Sequence, residues 1–320
     1  MLIGALSPAT CSHVRWASTP LAAAPDPDRF LPSEGEVPPI QGPRHFPTLS
    51  LVCDQNGEPR SIGRGDFRPE VPVLLARDAA DRPLVLKVEP ARTPEERAKR
   101  DYWWAAQLLA SLAFQRLGAN AVPYSYGRAE HQGKVLEGLA SPFRQFALLS
   151  EHSDPIKSPD QVIRGLVINA WLGDYDRIVK DDNVWVEPNG EVLLGDVGCA
   201  GMPGVKAFGA IPKVHLELFS RCATPENVAA AVSDVVRLSD GEIRRLASGA
   251  VAQLPDANSA MAENLARVLI ENREELRQGN VFEPLMGGQV PDRFPMPEEK
   301  AAALVDAVTA PPPRRELANA

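Results

Sequence analysis

The sequence predicts an α+β protein of two lobes, a small β-rich N-lobe with one long helix and a larger helical C-lobe. Two strand-like segments and a long amphipathic segment come first, and a β-hairpin among helical patterns comes second. Strands and helices that are grouped in this way, rather than alternating, are typical of α+β proteins. We therefore predict an N-lobe at residues 49–150 and a C-lobe at residues 151–279.

Proline-rich segments flank the two predicted lobes. Residues 1–48 and 280–320 are rich in proline and show no clear apolar period. Such composition does not supply enough apolar surface for a core of its own. We predict an N-terminal extension that is partly disordered and a C-terminal tail with room for one short helix.

The N-lobe begins with two strands and a helix. Apolar segments predict strands at Val71–Ala76 and Leu84–Glu89, joined by a polar turn. Thr93 and Glu96 then have the spacing of a capping box, in which each side chain bonds the backbone N–H of the other residue. An amphipathic helix follows this box and is predicted to end at Gly118.

A hairpin lies inside the helical half. Ser158, Pro159 and Gln161 predict the start of a helix, and the segment "NVWVEPNGEVLLGD" predicts a hairpin with a Pro-Asn-Gly turn. The predicted buried face of the helix consists of Ile163, Leu166, Val167, Ala170 and Trp171. The remaining predictions are a buried strand at 145–150 and helices at Thr224–Leu238, Ser239–Val251 and 258–278.

Charge and composition exclude some classes of function. The net charge is −8 and the pI about 5.3, whereas non-specific nucleic-acid binding needs clustered Lys and Arg. No segment reaches the roughly 20 apolar residues that a membrane span needs. The four cysteines are scattered, which favours a reducing compartment and a cytoplasmic location.

Four side chains fit the chemistry of phosphoryl transfer. This reaction needs a lysine for nucleotide phosphates, oxygen ligands for Mg²⁺ and a carboxylate that orients the attacking hydroxyl. Lys87 lies in the apolar strand "LVLKVEP", and Asp176 follows the helix that starts at Ser158. Asn183 and Asp196 are at the two ends of the hairpin. The hairpin therefore lets residues thirteen apart in sequence share one ion.

These segments resemble the protein-kinase-like superfamily, and most closely its HipA-like and phosphoinositide-kinase-like branches. The resemblance covers about residues 60–275 and rests on "VLKVEP", "QLLASLAFQRLGANAVPY" and "NAWLGDYDRIVKDDNVWV…LLGDVG". It implies that ATP binds between the lobes and that Lys87 binds its phosphates. It also implies that Asp176 acts on the acceptor hydroxyl, and that Asn183 and Asp196 hold Mg²⁺.

Three features depart from the family pattern. Asp176 and Asn183 are seven residues apart, which is more than the kinase pattern has. Gln107 occupies the helical position that usually carries a glutamate to pair with the strand lysine, and a neutral amide does not neutralise Lys87. The phosphate-covering loop is predicted near Gly63 and Gly65, whose backbone can approach an anion.

The sequence therefore predicts an ATP- and Mg²⁺-dependent phosphotransferase, specifically a HipA-like serine/threonine protein kinase. Two alternatives remain open from the sequence. One is a pseudokinase that serves as a nucleotide-binding or scaffold module. The other is a kinase-like enzyme that acts on a lipid or a small molecule. The sequence does not identify the acceptor substrate or a protein partner.

Overall fold

A computed structural model of the protein describes residues 48–62, 72–149, 156–173, 183–195, 222–256 and 258–278. Apart from Thr48, the two predicted proline-rich extensions lie outside these ranges, so their disorder stays a prediction. Within the described ranges the chain contains both strands and helices, as the α+β prediction requires. None of the helices found there is both long and apolar enough to cross a membrane.

Five strands of the first half form a closed barrel. They pair in the order β1-β2-β3-β5-β4, and a parallel pairing of β1 with β4 closes the sheet. The other pairings are antiparallel. The strands are β1 (Thr48–Leu51), β2 (Val73–Arg77), β3 (Pro83–Val88), β4 (Ser125–His131) and β5 (Lys134–Pro142).

The barrel interior is a small apolar core. Alternate residues of each strand point to the same face, and those on the inner face are Leu49, Leu74, Ala76, Leu86, Val88, Ala129 and Ala140. Gly127 is needed at this narrow site, because a Cβ there would lie 3.0 Å from both Ala140 Cβ and Leu49 Cδ1. The predicted strands at 71–76 and 84–89 correspond to β2 and β3.

A long helix, α1 (Pro94–Arg116), connects β3 to β4. The predicted capping box is present, with the Glu96 N–H donating to Thr93 Oγ1 at 3.1 Å and the Glu96 carboxylate accepting from the Thr93 N–H at 3.3 Å. The helix ends at Arg116, two residues after its last buried residue, Phe114, and Gly118 takes the left-handed conformation with φ 65°. Its predicted start and stop are both confirmed.

The second half is a small sheet surrounded by helices. The sheet has the order β6-β7-β8, and the predicted strand at 145–150 is reduced to two half-buried residues. The strands are β6 (Ala147–Leu148), β7 (Val184–Val186) and β8 (Val192–Leu194); the helices are α2 (Pro159–Leu172), α3 (Pro225–Val236), α4 (Asp240–Val251) and α5 (Ser259–Gln278).

The predicted cap at Ser158 is wrong. Ser158 has φ 53° and ψ 56° and makes no side-chain capping bond. In this left-handed conformation its main-chain oxygen, rather than its hydroxyl, accepts from the Gln161 N–H at 2.9 Å. The five residues predicted for the buried face of α2 are all buried, as expected.

One core joins α1 to the helical half. The buried residues of α1 belong to the same apolar cluster as those of α2, α3, α4 and α5, and the barrel interior is a separate cluster. Arg116 near the end of α1 also bonds Glu242 of α4 at 2.9 Å. The division into lobes at residue 150 stays a prediction, because α1 packs across it.

Candidate active site

Lys87 lies on the outer face of the barrel. Its neighbours Leu86 and Val88 are buried in the barrel interior, so strand alternation directs the lysine to the opposite face. There it is paired across the sheet with Leu139, which in turn is paired with Tyr126. Both of these partners belong to the core that includes α1. Lys87 therefore lies in the layer between the sheet and the helical core.

Gly138 lets β5 approach Lys87 closely. A Cβ at Gly138 would lie 2.0 Å from the main-chain oxygen of Lys87. Real side chains do not tolerate this distance, so only glycine fits. The backbone on either side of the predicted nucleotide-binding lysine is held by both neighbouring strands.

Trp104 attaches α1 to this outer face. Its Nε1 donates to Glu89 Oε2 at 2.9 Å, and its ring lies 6.0 Å from the Tyr126 ring. The guanidinium of Arg100 lies 4.1 Å from the centre of the Trp104 ring, within the range of a cation–π interaction. The carboxylate of Glu89, two residues after Lys87, therefore connects the end of β3 to α1.

A buried polar cluster supports the same contact. Arg100 donates two bonds to Asp101 Oδ1, at 3.1 and 3.0 Å, and the hydroxyl of Tyr126 donates to Glu137 Oε1 at 2.7 Å. Burial raises the pKa of Asp101, and the bonds from Arg100 oppose this rise. Burial, with Glu137 beside it, also raises the pKa of Tyr126. Arg100 also lies 3.6 Å from Glu137 Oε2, so this cluster joins α1 to the sheet.

Gln107 faces the sheet from α1. Helix positions 104, 107 and 111 share one face; Trp104 bonds Glu89, and Ser111 Oγ accepts from the Tyr124 N–H at 2.9 Å. Gln107, between them, is only 4% exposed, and its Oε1 has no hydrogen-bond partner in the described ranges. The amide oxygen therefore accepts no hydrogen bond from Lys87, although both residues face the same layer.

The hairpin brings its two ends together. Val184 is paired with Leu194, and the next bond joins the Gly195 N–H to the Asn183 oxygen at 2.9 Å. Asn183 is 6% exposed, and its Nδ2 has no hydrogen-bond partner within the described part of the chain. Among the described residues, no hydrogen bond from Nδ2 therefore holds the side chain in an orientation that would keep it from a ligand. Its oxygen is of the type that Mg²⁺ prefers, so Asn183 fits the predicted metal site.

Trp185 closes one side of the hairpin end. A Cβ at Gly195 would lie 2.5 Å from Trp185 Cζ2, so the ring lies directly against the glycine. The ring of Phe146 stacks on the Trp185 ring, with the two ring centres 4.0 Å apart and the planes almost parallel. Gly195 is therefore required for packing as well as for its place beside Asn183.

The segment after α1 is attached to the hairpin. The Val122 N–H donates to the Leu194 oxygen at 2.9 Å, and the Leu194 N–H donates to the Asn120 oxygen at 3.2 Å. The helix that covers the Lys87 face thus leads directly into a chain segment paired with β8. The lysine and the asparagine are connected through α1 by continuous packing.

The other predicted site residues lie outside the described residues. They are Gly63, Gly65, Asp176 and Asp196, and their roles stay predictions. Asp196 follows Gly195 directly in sequence. The structure thus brings Lys87 and Gln107 to one layer and Asn183 to the hairpin end.

Sequence reasoning missed Asn169. This residue of α2 is 2% exposed, and its Oδ1 has no hydrogen-bond partner in the described residues. The sequence contains one usable signal, a single amide inside the apolar run "LVINAWL". Buried amides without a partner are rare in proteins, so such a residue is a candidate for function.

Comparisons with known proteins find similar solved structures but no similar sequence. No family model and no curated protein sequence matches the chain. The proinflammatory kinase CtkA of Helicobacter pylori is similar with a TM-score of 0.43 and 11% identity, over 72% of this chain and 99% of that one. The MAP kinase LmaMPK10 of Leishmania major has a TM-score of 0.30 and 13% identity, over 82% and 94%. Both neighbours are kinases, but TM-scores below 0.5 do not establish a shared fold.

Proposed function

We propose that this protein is an ATP- and Mg²⁺-dependent phosphotransferase of the protein-kinase-like type, which transfers the γ-phosphate of ATP to a hydroxyl group. The observation that carries the proposal is the bond between Gly195 and Asn183 at the hairpin end. It puts the buried amide of Asn183 beside the residue that precedes Asp196. An amide oxygen and a carboxylate form a suitable ligand pair for Mg²⁺.

The chain's own residues have separate roles in this proposal. Lys87 binds the nucleotide phosphates from the outer face of the barrel, and the backbone N–H groups at Gly63 and Gly65 also bind them. Asp176 accepts a hydrogen bond from the acceptor hydroxyl and orients it for attack. Asn183 and Asp196 hold the metal ion, which when bound neutralises charge on the phosphates.

The acceptor in this proposal is a serine or threonine hydroxyl of a protein, as in the HipA-like branch. The motif around Asp176, Asn183 and Asp196 supports that branch. A lipid or small-molecule acceptor would use the same metal ligands and would differ outside them. A cytoplasmic location is part of the proposal and is supported by two free thiols, Cys53 on the surface and Cys222 in the core.

One observation favours a second function. Gln107 is neutral, and its Oε1 accepts no hydrogen bond in the described ranges. A neutral amide at this helical position cannot form an ion pair with Lys87, and a charge-assisted bond is stronger than a bond between a charged and a neutral group. A pseudokinase that binds nucleotide and serves as a scaffold is therefore the alternative.

Mass spectrometry after incubation of the purified chain with Mg²⁺ and ATP tests the proposal. A gain of one phosphate on the chain or on an added protein, with label from γ-labelled but not α-labelled ATP, supports phosphotransfer. We expect Asp196→Ala to abolish this gain. Nucleotide-dependent thermal stabilisation without any transfer would favour the scaffold, and retention of full transfer in Asp196→Ala would contradict the assigned metal site.

A further inference from the structure

Asn169 is a buried amide to which the proposed chemistry assigns no role. It lies in α2, and its Oδ1 accepts no hydrogen bond from any residue in the described part of the chain. Burial of an unsatisfied carbonyl oxygen destabilises a protein. Its neighbours Ile168 and Ala170 are both buried apolar residues, so the site could have been filled by an apolar side chain.

One face of α2 runs alongside β8. Val162 and Val192 line the same cavity, and one turn further a Cβ on Gly165 would lie 2.7 Å from Leu194 Cδ1. These two pairs of neighbouring residues advance along α2 and β8 in the same sense. The helix and the strand therefore run in the same direction across this contact.

The opposite face of α2 packs on α5. Trp171 Nε1 donates to the Leu269 oxygen at 2.9 Å, and Asn272 Nδ2 donates to the Trp171 oxygen at 2.8 Å. Positions 169 and 171 differ by about 200° around the helix axis. Asn169 thus faces away from α5 and toward the hairpin.

The same row of α2 places Asn169 at the hairpin end. Asn169 lies four residues, about 6 Å, beyond Gly165, and a strand advances about 3.3 Å per residue. Beyond Leu194 this distance corresponds to about two residues, one position past Gly195, whose N–H bonds the Asn183 oxygen. Because a helical side chain leans toward the N-terminus of its helix, the amide of Asn169 extends back toward the level of Asn183.

The two amides have complementary unused atoms. Within the described residues, no donor bonds Oδ1 of Asn169 and no acceptor bonds Nδ2 of Asn183. We propose that Asn169 is a positioning residue whose Oδ1 accepts a bond from Nδ2 of Asn183 in the Mg²⁺-bound state; this inference rests on the proposed function. Because an amide has one donor edge and one acceptor edge, fixing Nδ2 leaves Oδ1 of Asn183 turned to the cation.

The test measures the melting temperature of the full chain with ADP at increasing Mg²⁺ concentrations. The quantity compared between variants is the Mg²⁺ concentration that gives half of the maximal stabilisation. Residues that orient a metal ligand contribute about tenfold or more to metal affinity. We expect Asn169→Leu to raise the half-saturating Mg²⁺ concentration about tenfold. The melting temperature without metal and nucleotide should stay equal or rise, because an unsatisfied acceptor is removed. Asn169→Asp keeps an acceptor and should restore the wild-type concentration to within about threefold.

Asn272→Leu is the matched control. It removes a buried amide of α5 that bonds the opposite side of α2, and it should lower the melting temperature without changing the Mg²⁺ requirement. Should Asn169→Leu fail to fold, Asn169→Ala removes the same oxygen and leaves space. A wild-type Mg²⁺ requirement in a folded Asn169 variant overturns the positioning role alone. A wild-type protein whose melting does not respond to Mg²⁺ with ADP overturns the proposed function as well.

Discussion

The Gly195 N–H donates to the Asn183 main-chain oxygen at 2.9 Å, and this bond closes the hairpin at the candidate metal site. The two residues are twelve apart in sequence and are joined by a tight turn in which Gly190 has φ 83°. Their proximity depends on local pairing. It is maintained from outside by the Trp185 ring, which leaves no space for a side chain on Gly195.

Gly195→Ala should therefore disturb both stability and metal binding. The new methyl group would lie 2.5 Å from Trp185 Cζ2, and the ring cannot move freely because it stacks on Phe146. We expect a loss of about 1–3 kcal/mol in the free energy of unfolding. Urea denaturation measures it, and the Mg²⁺ concentration needed for nucleotide binding should rise in the same variant.

Gly241→Ala is the matched control for this substitution. Gly241 lies in the first turn of α4, and the atom nearest to an added Cβ is 3.6 Å away. Alanine in that helix should stabilise the protein by up to about 1 kcal/mol. A Gly195→Ala protein as stable as Gly241→Ala would contradict the close packing at the hairpin end.

Lys87→Met should reduce phosphotransfer by about two orders of magnitude, the cost of removing one charged group that stabilises the reacting phosphates. Methionine keeps the length of the side chain and removes its charge, so the fold should be retained. The exposed Lys134, at the β4–β5 turn, provides the control Lys134→Met. The measurement is the initial rate of phosphotransfer from labelled ATP for both variants. Equal rates for Lys87→Met and Lys134→Met would contradict a role for Lys87 in the site.

Local sequence signals predicted the elements that position the hairpin. The capping box at Thr93 and the hairpin turn are formed by residues within a few positions of one another. Strands β4 and β5 were not predicted from the sequence, although Gln132 and Gly133 form a two-residue turn with φ 50° and 73°. Charged residues on their outer faces concealed the strand pattern.

The candidate site was less accessible to sequence reasoning than the fold. Lys87 and Asn183 were found because each lies in or beside a recognisable strand. Whether Gln107 and Asn169 find hydrogen-bond partners depends on which distant side chains surround them, and within the described residues neither amide oxygen has one. Closure of the barrel by β1 and β4 was missed for a similar reason, since it joins segments far apart in sequence.

Gln107→Leu should have opposite effects on stability and on nucleotide affinity. Removing an unsatisfied buried oxygen should leave the free energy of unfolding unchanged or raise it by about 1 kcal/mol. If Gln107 helps to place Lys87 for phosphate binding, the affinity for ATP should nevertheless fall. Thermal denaturation and ATP titration of the same preparation measure both quantities. An unchanged affinity for ATP would contradict a role for Gln107 in the nucleotide site.

Glu242 should make the contact between α1 and α4 dependent on pH. The Ser239 N–H, together with Arg116, holds the pKa of Glu242 below its ordinary value of 4.5. A carboxylate with a lowered pKa stabilises the folded state above the ordinary value, and this stabilisation is lost as the pH falls through the folded pKa. Glu242→Gln keeps the capping box but removes the ion pair with Arg116, so its cost should be about 1 kcal/mol or less at pH 7.

The cost of Glu242→Gln should therefore disappear in acid. Urea denaturation of wild type and variant at a series of pH values from neutral to well below 4.5 measures the difference. The control is Glu263→Gln, which removes an exposed ion pair with Arg244 at 3.4 Å and should change stability by less than about 0.5 kcal/mol throughout. If the Glu242→Gln difference persists undiminished at the lowest pH, the charge of Glu242 is not what joins the two helices, and shape or the neutral hydrogen bond must account for the contact.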